Sequence, residues 1–261
     1  MSKNRYTGFI RNALQEAVTA IRNVDDLQPE GKGKVGDFVT RADLASQEAI
    51  LDLLVSDLPG CKVLLEEGES DVTAANFDQH ALVAVIDPID GTANFMRGLP
   101  HAISLALYSH GNCVEAGVWD SQKRQGGGIW MLDMRGLIND TRIYRRSPTR
   151  EIKDSIVGTS WAYGDTPKET VEVLGRLAGE TTVRMMGSAV QDWLMVATGQ
   201  FGYYIHNSMK PFDNASGMPM ARAMGLTVHN WEGKEAIIFD SHVIVAPAKK
   251  MDEFRKLALG N

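Results

Sequence analysis

Long apolar runs are missing from this chain. No stretch reaches the roughly 18 residues that a membrane-spanning helix needs, and the opening MSKNRYTGFIRNALQEAV holds no apolar core of signal-peptide length. A cytoplasmic protein with no membrane partner is the expectation. Cysteine is scarce as well. The two present, Cys61 and Cys113, sit in no CxxC or Cys/His cluster, which excludes a disulfide framework and argues against a zinc site. They are expected as buried free thiols in a reducing compartment. Positive charge is short too. Lysine and arginine total 27 against 33 acidic residues, a net charge of -6, so no nucleic-acid partner is expected, because such a surface needs a basic face to displace counterions. The one basic run, Thr141 to Lys153 with Arg142, Arg145, Arg146 and Arg150, lacks interleaved aromatics and reads as a solvated loop.

What is present is enough apolar material for a sizeable core, 44 % of 261 residues, in one large domain or two modest ones. Phe9, Ile10, Ala13, Leu14, Ala17, Val18 and Ile21 recur at helical spacing. A second helix is expected over Thr40 to Leu54, with Ala42, Ala45, Ala49, Ile50 and Leu53 near one side and Thr40 or Asp43 as cap. Short strands are expected at Cys61 to Leu65 and Ala81 to Ile86, and 102–109, 113–120 and 128–133 suggest an antiparallel meander. A boundary near residue 145 divides the chain into 1–145 and 146–261. In the second part strands (155–159, 182–186, 201–205, 226–228, 243–246) alternate with helices (166–178, 188–198, 215–224, 250–259), which predicts a layered α/β fold.

The chemistry concentrates at AVIDPIDGTANF. A buried-looking strand ends in Asp87 and Asp90, followed by Gly91 and Thr92. Two buried carboxylates cannot both stay charged without compensation. A cation would supply it, and all-oxygen ligands suit a hard divalent ion, Mg²⁺ or Mn²⁺. Pro88 can turn the Ile89 carbonyl inward as a further oxygen, and Gly91 permits a tight turn. Thr92 offers a hydroxyl and an N–H where a short helix could begin, a setting that suits phosphate. Together these suggest phosphoryl chemistry. The competing reading is an Asp-Pro turn capped by Asp90. Two further carboxylate groups weigh against it: Glu66-Glu67 at another strand end, and Asp213 after Lys210-Pro211-Phe212. Asp37 and Asp43 flank Val39-Thr40.

GDFVTRAD, LLEEGES, DPIDGTANF, GLPHAISLAL, RMMGSAVQDWLMVATGQFGYY and KPFDNASG follow one another along nearly the whole chain. In this the sequence resembles the inositol monophosphatase family of Mg²⁺-dependent, lithium-sensitive phosphomonoesterases. The resemblance implies an αβαβα sandwich, commonly a homodimer. It implies Glu66, Asp87 and the Ile89 carbonyl as ligands of a first metal, and Asp87, Asp90 and Asp213 as ligands of a second, with Glu67 near a third. Thr92 with Glu66 would orient and deprotonate the attacking water, with Asp43 behind Thr92. Asp90 would also touch a substrate hydroxyl. The Gly91 and Thr92 N–H groups would hold phosphate, and Gly187, Ser188 and Ala189 would line the alcohol half of the substrate. Some members of the family are also linked to regulatory roles with the transcription machinery, so a largely non-catalytic binding protein is the alternative that the resemblance leaves open.

The sequence departs from the family pattern in places. Phe212 replaces the usual tryptophan, and Pro219 falls inside an expected helix. Seven residues before Asp213, where the family commonly places a glutamate that reaches substrate hydroxyls, stands His206. The expected substrate is inositol monophosphate or a similar polyol phosphate. Histidinol phosphate, fructose 1,6-bisphosphate and a nucleotide 3′-phosphate remain open.

Overall fold

The computed structural model describes residues 5–33, 36–123, 127–146, 148, 151–160 and 168–260. The expected start of one helix at Thr166 and Pro167, and Arg150 of the basic run, lie outside them.

The chain opens with α1 (Thr7–Arg22), two short paired strands β1 (Glu30–Gly31) and β2 (Phe38–Val39), and α2 (Arg41–Asp57). Strands β3 (Lys62–Leu65) and β4 (Val83–Asp90) follow, then the four-residue helix α3 (Thr92–Phe95). Next come β5 (Ala102–Ser109), β6 (Asn112–Asp120), β7 (Gly128–Asp133), β8 (Gly136–Asn139) and β9 (Arg142–Ile143). Strands β3 to β9 form a seven-stranded sheet in chain order, parallel between β3 and β4 and antiparallel elsewhere.

The rest alternates. It runs β10 (Ile156–Gly158), α4 (Lys168–Leu177), β11 (Thr182–Arg184), α5 (Ala189–Thr198), β12 (Tyr203–His206), α6 (Pro211–Ala223), β13 (Leu226–Asn230), β14 (Val243–Pro247) and α7 (Met251–Leu259). Its five strands order as β11-β10-β12-β14-β13.

Period-two alternation decides the layers. In β4, Ala84 and Ile86 pack with Ile10, Leu14 and Ile50 of α1 and α2, whereas Val83 and Val85 face Trp193 and Met218 of α5 and α6. In β12 and β14, Tyr204, Val243 and Val245 join that same middle core, while Tyr203, Ile205, Ile244 and Ala246 face Val173 and Phe254 of α4 and α7. The order is therefore helices, sheet, helices, sheet, helices: the αβαβα sandwich. The middle layer is tight. A Cβ on Gly217 of α6 would lie 2.2 Å from Trp193 Cβ of α5, so only glycine allows that crossing.

Several details differ from the sequence reading. The strand expected to stop at Ile86 continues through both aspartates, with a bulge between Asp87 and Asp90. Pro88 sits in that bulge, where a missing N–H costs no ladder bond. Helix α6 begins at Pro211, four residues before the expected Ala215, with Pro at its first position. Pro219 leaves the Ala215 carbonyl without its helical donor, and Tyr108 Oη donates to that carbonyl at 2.8 Å instead. The basic run is not wholly solvated. Arg146 turns inward and donates to the Val196 carbonyl at 3.0 Å and to the Phe201 carbonyl at 3.3 Å, at the C-terminal end of α5. Both cysteines are free and half-buried, and burial pushes the Cys113 thiol up to about 12. Among the described residues no helix is long and apolar enough to cross a membrane.

Candidate metal-centred active site

The bulge in β4 turns Asp87 and Asp90 toward one point, and the first turn of α6 brings Asp213 to it from the other half of the chain. One carboxylate oxygen from each lies within 4.8 Å of the others. These three side chains line one cavity together with Glu66, Gly91, Thr92, Gly187, Ser188, Ala189 and His206. Glu67, the Ile89 carbonyl and Asp43 stand outside the cavity wall.

Helix α2 braces the cluster. Thr40 caps it, accepting the Ala42 N–H at 3.2 Å, and the Asp43 carboxylate accepts the Thr40 N–H at 2.8 Å. Asp43, Ser46 and Gln47 fall on one face of the helix, and each reaches a different site loop. Thr92 Oγ1 donates to Asp43 Oδ1 at 2.9 Å, Ser46 Oγ donates to the Pro88 carbonyl at 2.8 Å, and Gln47 Nε2 donates to the Glu67 carbonyl at 2.8 Å. The Ile89 carbonyl lies 3.2 Å from Thr92 Oγ1.

Asp90 ties the bulge to the start of α5. Its carboxylate accepts the Ser188 hydroxyl, the Val190 N–H at 2.8 Å and the Ala189 N–H at 3.2 Å. Negative charge is favoured at a helix start. Gly91 adopts φ +84°, and a Cβ there would lie 3.1 Å from the Gly187 carbonyl oxygen, so the turn and the 187–189 segment approach closely because both lack bulk. Within α3 the Asn94 and Phe95 N–H groups donate back to the Gly91 carbonyl at 2.9 Å, whereas the earliest N–H groups of a helix have no intrahelical acceptor. Asp213 sits at the third position of α6 and accepts the Lys210 N–H at 2.6 Å.

Electrostatics state what the cluster lacks. Burial, then Glu66, Asp90 and Asp213, pushes the Asp87 carboxyl well above the usual carboxylate range. Burial, then Asp90, does the same to Asp213. Burial also raises Asp90 and Glu66, against hydrogen bonds from Ser188 and the charge of Lys32 respectively. Asp87 Oδ1 is buried with no hydrogen-bond partner among the described residues. A dense set of oxygen donors that cannot all ionise alone, with one oxygen left over, fits a hard divalent cation.

One cation already touches the edge of the set. Lys32 Nζ is 2.9 Å from Glu66 Oε1 and also pairs with Glu67. Sequence reasoning missed Lys32, since a lysine in GKGK carries no periodic or motif signal. It also missed Ser160, Ser208, Lys210 and Phe38 on the cavity wall. Asp192, buried with neither carboxylate oxygen hydrogen-bonded among the described residues, went unnoticed too. Burial and then Asp90 push its pKa well up.

The model of the inositol monophosphatase family matches residues 6–258. A putative Nus factor SuhB of Neisseria meningitidis serogroup A is 30 % identical over 95 % of this chain and 94 % of its own. The inositol-1-monophosphatase of Rhizobium meliloti is 33 % identical over 77 % of this chain and 75 % of its own. Among solved structures, the extragenic suppressor protein suhB of Bartonella henselae superposes with TM-score 0.86 at 24 % identity, covering 97 % of both chains. An IMPase/NADP phosphatase solved with Mg²⁺ and phosphate gives TM-score 0.86 at 21 % identity, over 99 % of this chain and 96 % of that one.

Proposed function

Because the chain belongs to the inositol monophosphatase family, we propose that it is a metal-dependent phosphomonoesterase that hydrolyses the phosphate ester of a small polyol. The observation that carries this reading is the convergence of Asp87, Asp90 and Asp213 from two halves of the chain onto one point beside Thr92. Glu66, Asp87, the Ile89 carbonyl, Asp90 and Asp213 would hold Mg²⁺. The ions would acidify a bound water and neutralise charge on the phosphate and the departing alkoxide.

The remaining steps belong to the chain. Thr92 donates its own proton to Asp43, which leaves its oxygen lone pairs free to accept a hydrogen from water. Glu66 takes the proton as the water attacks in line. The Gly91 and Thr92 N–H groups hold the phosphate oxygens. Gly187, Ser188, Ala189 and His206 face the alcohol. No residue needs to carry the phosphoryl group covalently.

The test is Mg²⁺-dependent phosphate release across a panel of phosphomonoesters, with Asp90→Asn as control and circular dichroism to check folding. Release by the native protein and its loss in a folded variant are the expected results. Lithium is expected to inhibit, and Asp213→Asn to blunt that inhibition. A second reading has one observation behind it, the relatives named as Nus factors: the chain could serve as a regulatory binding protein. No turnover of any ester by folded protein that still binds Mg²⁺ would favour it.

A further inference from the structure

The wall of the cavity that leads into Asp213 includes one short segment, from His206 at the end of β12 to Phe212 in α6. Its inward polar groups are all hydrogen-bond donors or hydroxyls. His206, Ser208 and Lys210 line the cavity from this segment, and Ser160 adds another hydroxyl. His206 is 6 % exposed, and its Nδ1 accepts the Ser208 N–H at 3.0 Å. A nitrogen that accepts a hydrogen bond carries no proton, so in the neutral ring the hydrogen is on Nε2. The ring is neutral because burial and the neighbouring His242 pull its pKa down to about 4. Among the described residues Nε2 has no protein partner. His206 therefore presents a fixed N–H donor.

Lys210 adds charge. Its side chain is exposed and lines the cavity; its charge favours the neighbouring Asp213 carboxylate, but it forms no close ion pair among the described residues. The segment 206–212 holds no carboxylate. The one acidic cavity residue beyond the metal cluster, Asp37, lies instead on the segment that leads from Lys32 into β2. A wall that offers an ammonium, an N–H and hydroxyls, with no acceptor carboxylate, complements an anion. To the hydroxyl hydrogens of a neutral polyol it offers only the Ser160 and Ser208 oxygens, and it repels a positively charged alcohol.

Resting on the phosphomonoesterase reading, we propose that His206 and Lys210 are specificity-determining residues that select a phosphate ester whose alcohol carries a second anionic group. The phosphate to be cleaved sits at the aspartate cluster, and the second anion meets the Lys210 ammonium and the His206 N–H. Charge-assisted hydrogen bonds are about twice as strong as neutral ones, so the second anion would be favoured over a hydroxyl in its place.

Matched esters test this. Fructose 1,6-bisphosphate is compared with fructose 1-phosphate, and 3-phosphoglycerate with glycerol 3-phosphate, with phosphoethanolamine as the cationic counterpart. The doubly anionic ester of a pair is expected to exceed its partner by roughly tenfold or more in kcat/KM, and phosphoethanolamine to be poorest. A preference in the first pair alone assigns the wall to phosphate, and one in both pairs extends it to carboxylate. Lys210→Met is expected to cut the preference about tenfold by raising KM for the doubly anionic ester. His206→Glu should reverse it, and His206→Gln, which keeps a neutral donor, should retain it. Equal kcat/KM within both pairs, a preference for the uncharged alcohol, or equal losses on both members in the variants would overturn the proposal. Calorimetric binding of the same esters with Ca²⁺ separates the two claims. Tighter, Lys210-dependent binding of the doubly anionic ester without turnover would leave this wall assigned while the hydrolytic reading fails. Equal binding without turnover would remove both.

Discussion

Thr92 and Asp43 form a buried pair whose only evident product is orientation. Asp43 is fully buried, and its carboxylate is shared between the Thr40 cap and the Thr92 hydroxyl. Thr92→Val keeps the volume and removes the oxygen that would steer the water. It is expected to lower kcat by about 10² to 10⁴ with little change in Mg²⁺ affinity, measured by steady-state kinetics beside metal titration. Unchanged kcat would remove Thr92 from the mechanism. At this scale the sequence displayed the aspartates and Thr92 as a motif, and the structure brings them together. Lys32 was invisible there, because nothing in its neighbours marks a lysine that will meet Glu66 from 34 positions away. The orphaned Asp87 Oδ1 was equally hidden, since whether a buried oxygen has a partner is a property of packing.

Among the elements, α2 and α6 depart most from simple patterning. The buried face of α2 is Ala42, Asp43, Ser46, Gln47, Ile50 and Leu54; it keeps Ala42 and Ile50 of the side suggested by spacing, but Ala45, Ala49 and Leu53 are only partly buried. Its polar members face the site, so a rule that equates burial with apolarity points at the wrong stripe there. Strands β4, β12 and β14 were legible because both of their faces meet apolar layers. The early start of α6 was not, since Lys210-Pro211 reads equally as a turn. Pro219 in α6 gives a direct test. Tyr108→Phe should strand the Ala215 carbonyl and cost about 1–3 kcal/mol. Adding Pro219→Ala restores a helical donor to that carbonyl and should recover part of the loss, as read by urea denaturation. Additive losses would mean that the Tyr108 hydroxyl is not replacing the missing helical bond. Gly217→Ala should cost about 1–3 kcal/mol or more, because the new methyl meets Trp193.

For the whole molecule, the buried carboxyl set is expected to make stability depend on pH and, if it holds Mg²⁺ as proposed, on metal together. Burial, outweighing the hydrogen bond from Lys32, pushes the Glu67 carboxyl from 4.5 to about 7, and Asp87, Asp90, Asp213 and Glu66 shift the same way. With these pKa values raised on folding, the folded state binds more protons than the unfolded one. The associated stability is complete below the unfolded value and is lost as pH rises through the folded one. Metal-free protein should therefore melt at a lower temperature near pH 7.5 than near pH 5. Saturating Mg²⁺ should close the gap, since a ligand at 100 times its Kd adds about 2.7 kcal/mol. Thermal melts with Mg²⁺ and with chelator at both pH values check this. A metal-free Tm that rises with pH would contradict the burial of these groups as charged neighbours.

Asp90 receives its hydrogen bonds from residues about 100 positions later in the chain, and Asp213 follows later still. The proposed cation site is thus written into the order of synthesis. A ribosome that has released only the seven-stranded sheet has exposed Glu66, Asp87 and Asp90, but neither the amides that steady Asp90 nor the last ligand. Nascent chains stopped before α6 should be unable to retain Mg²⁺ at this site, and metal capture would then mark the moment when the second sheet has docked on the first.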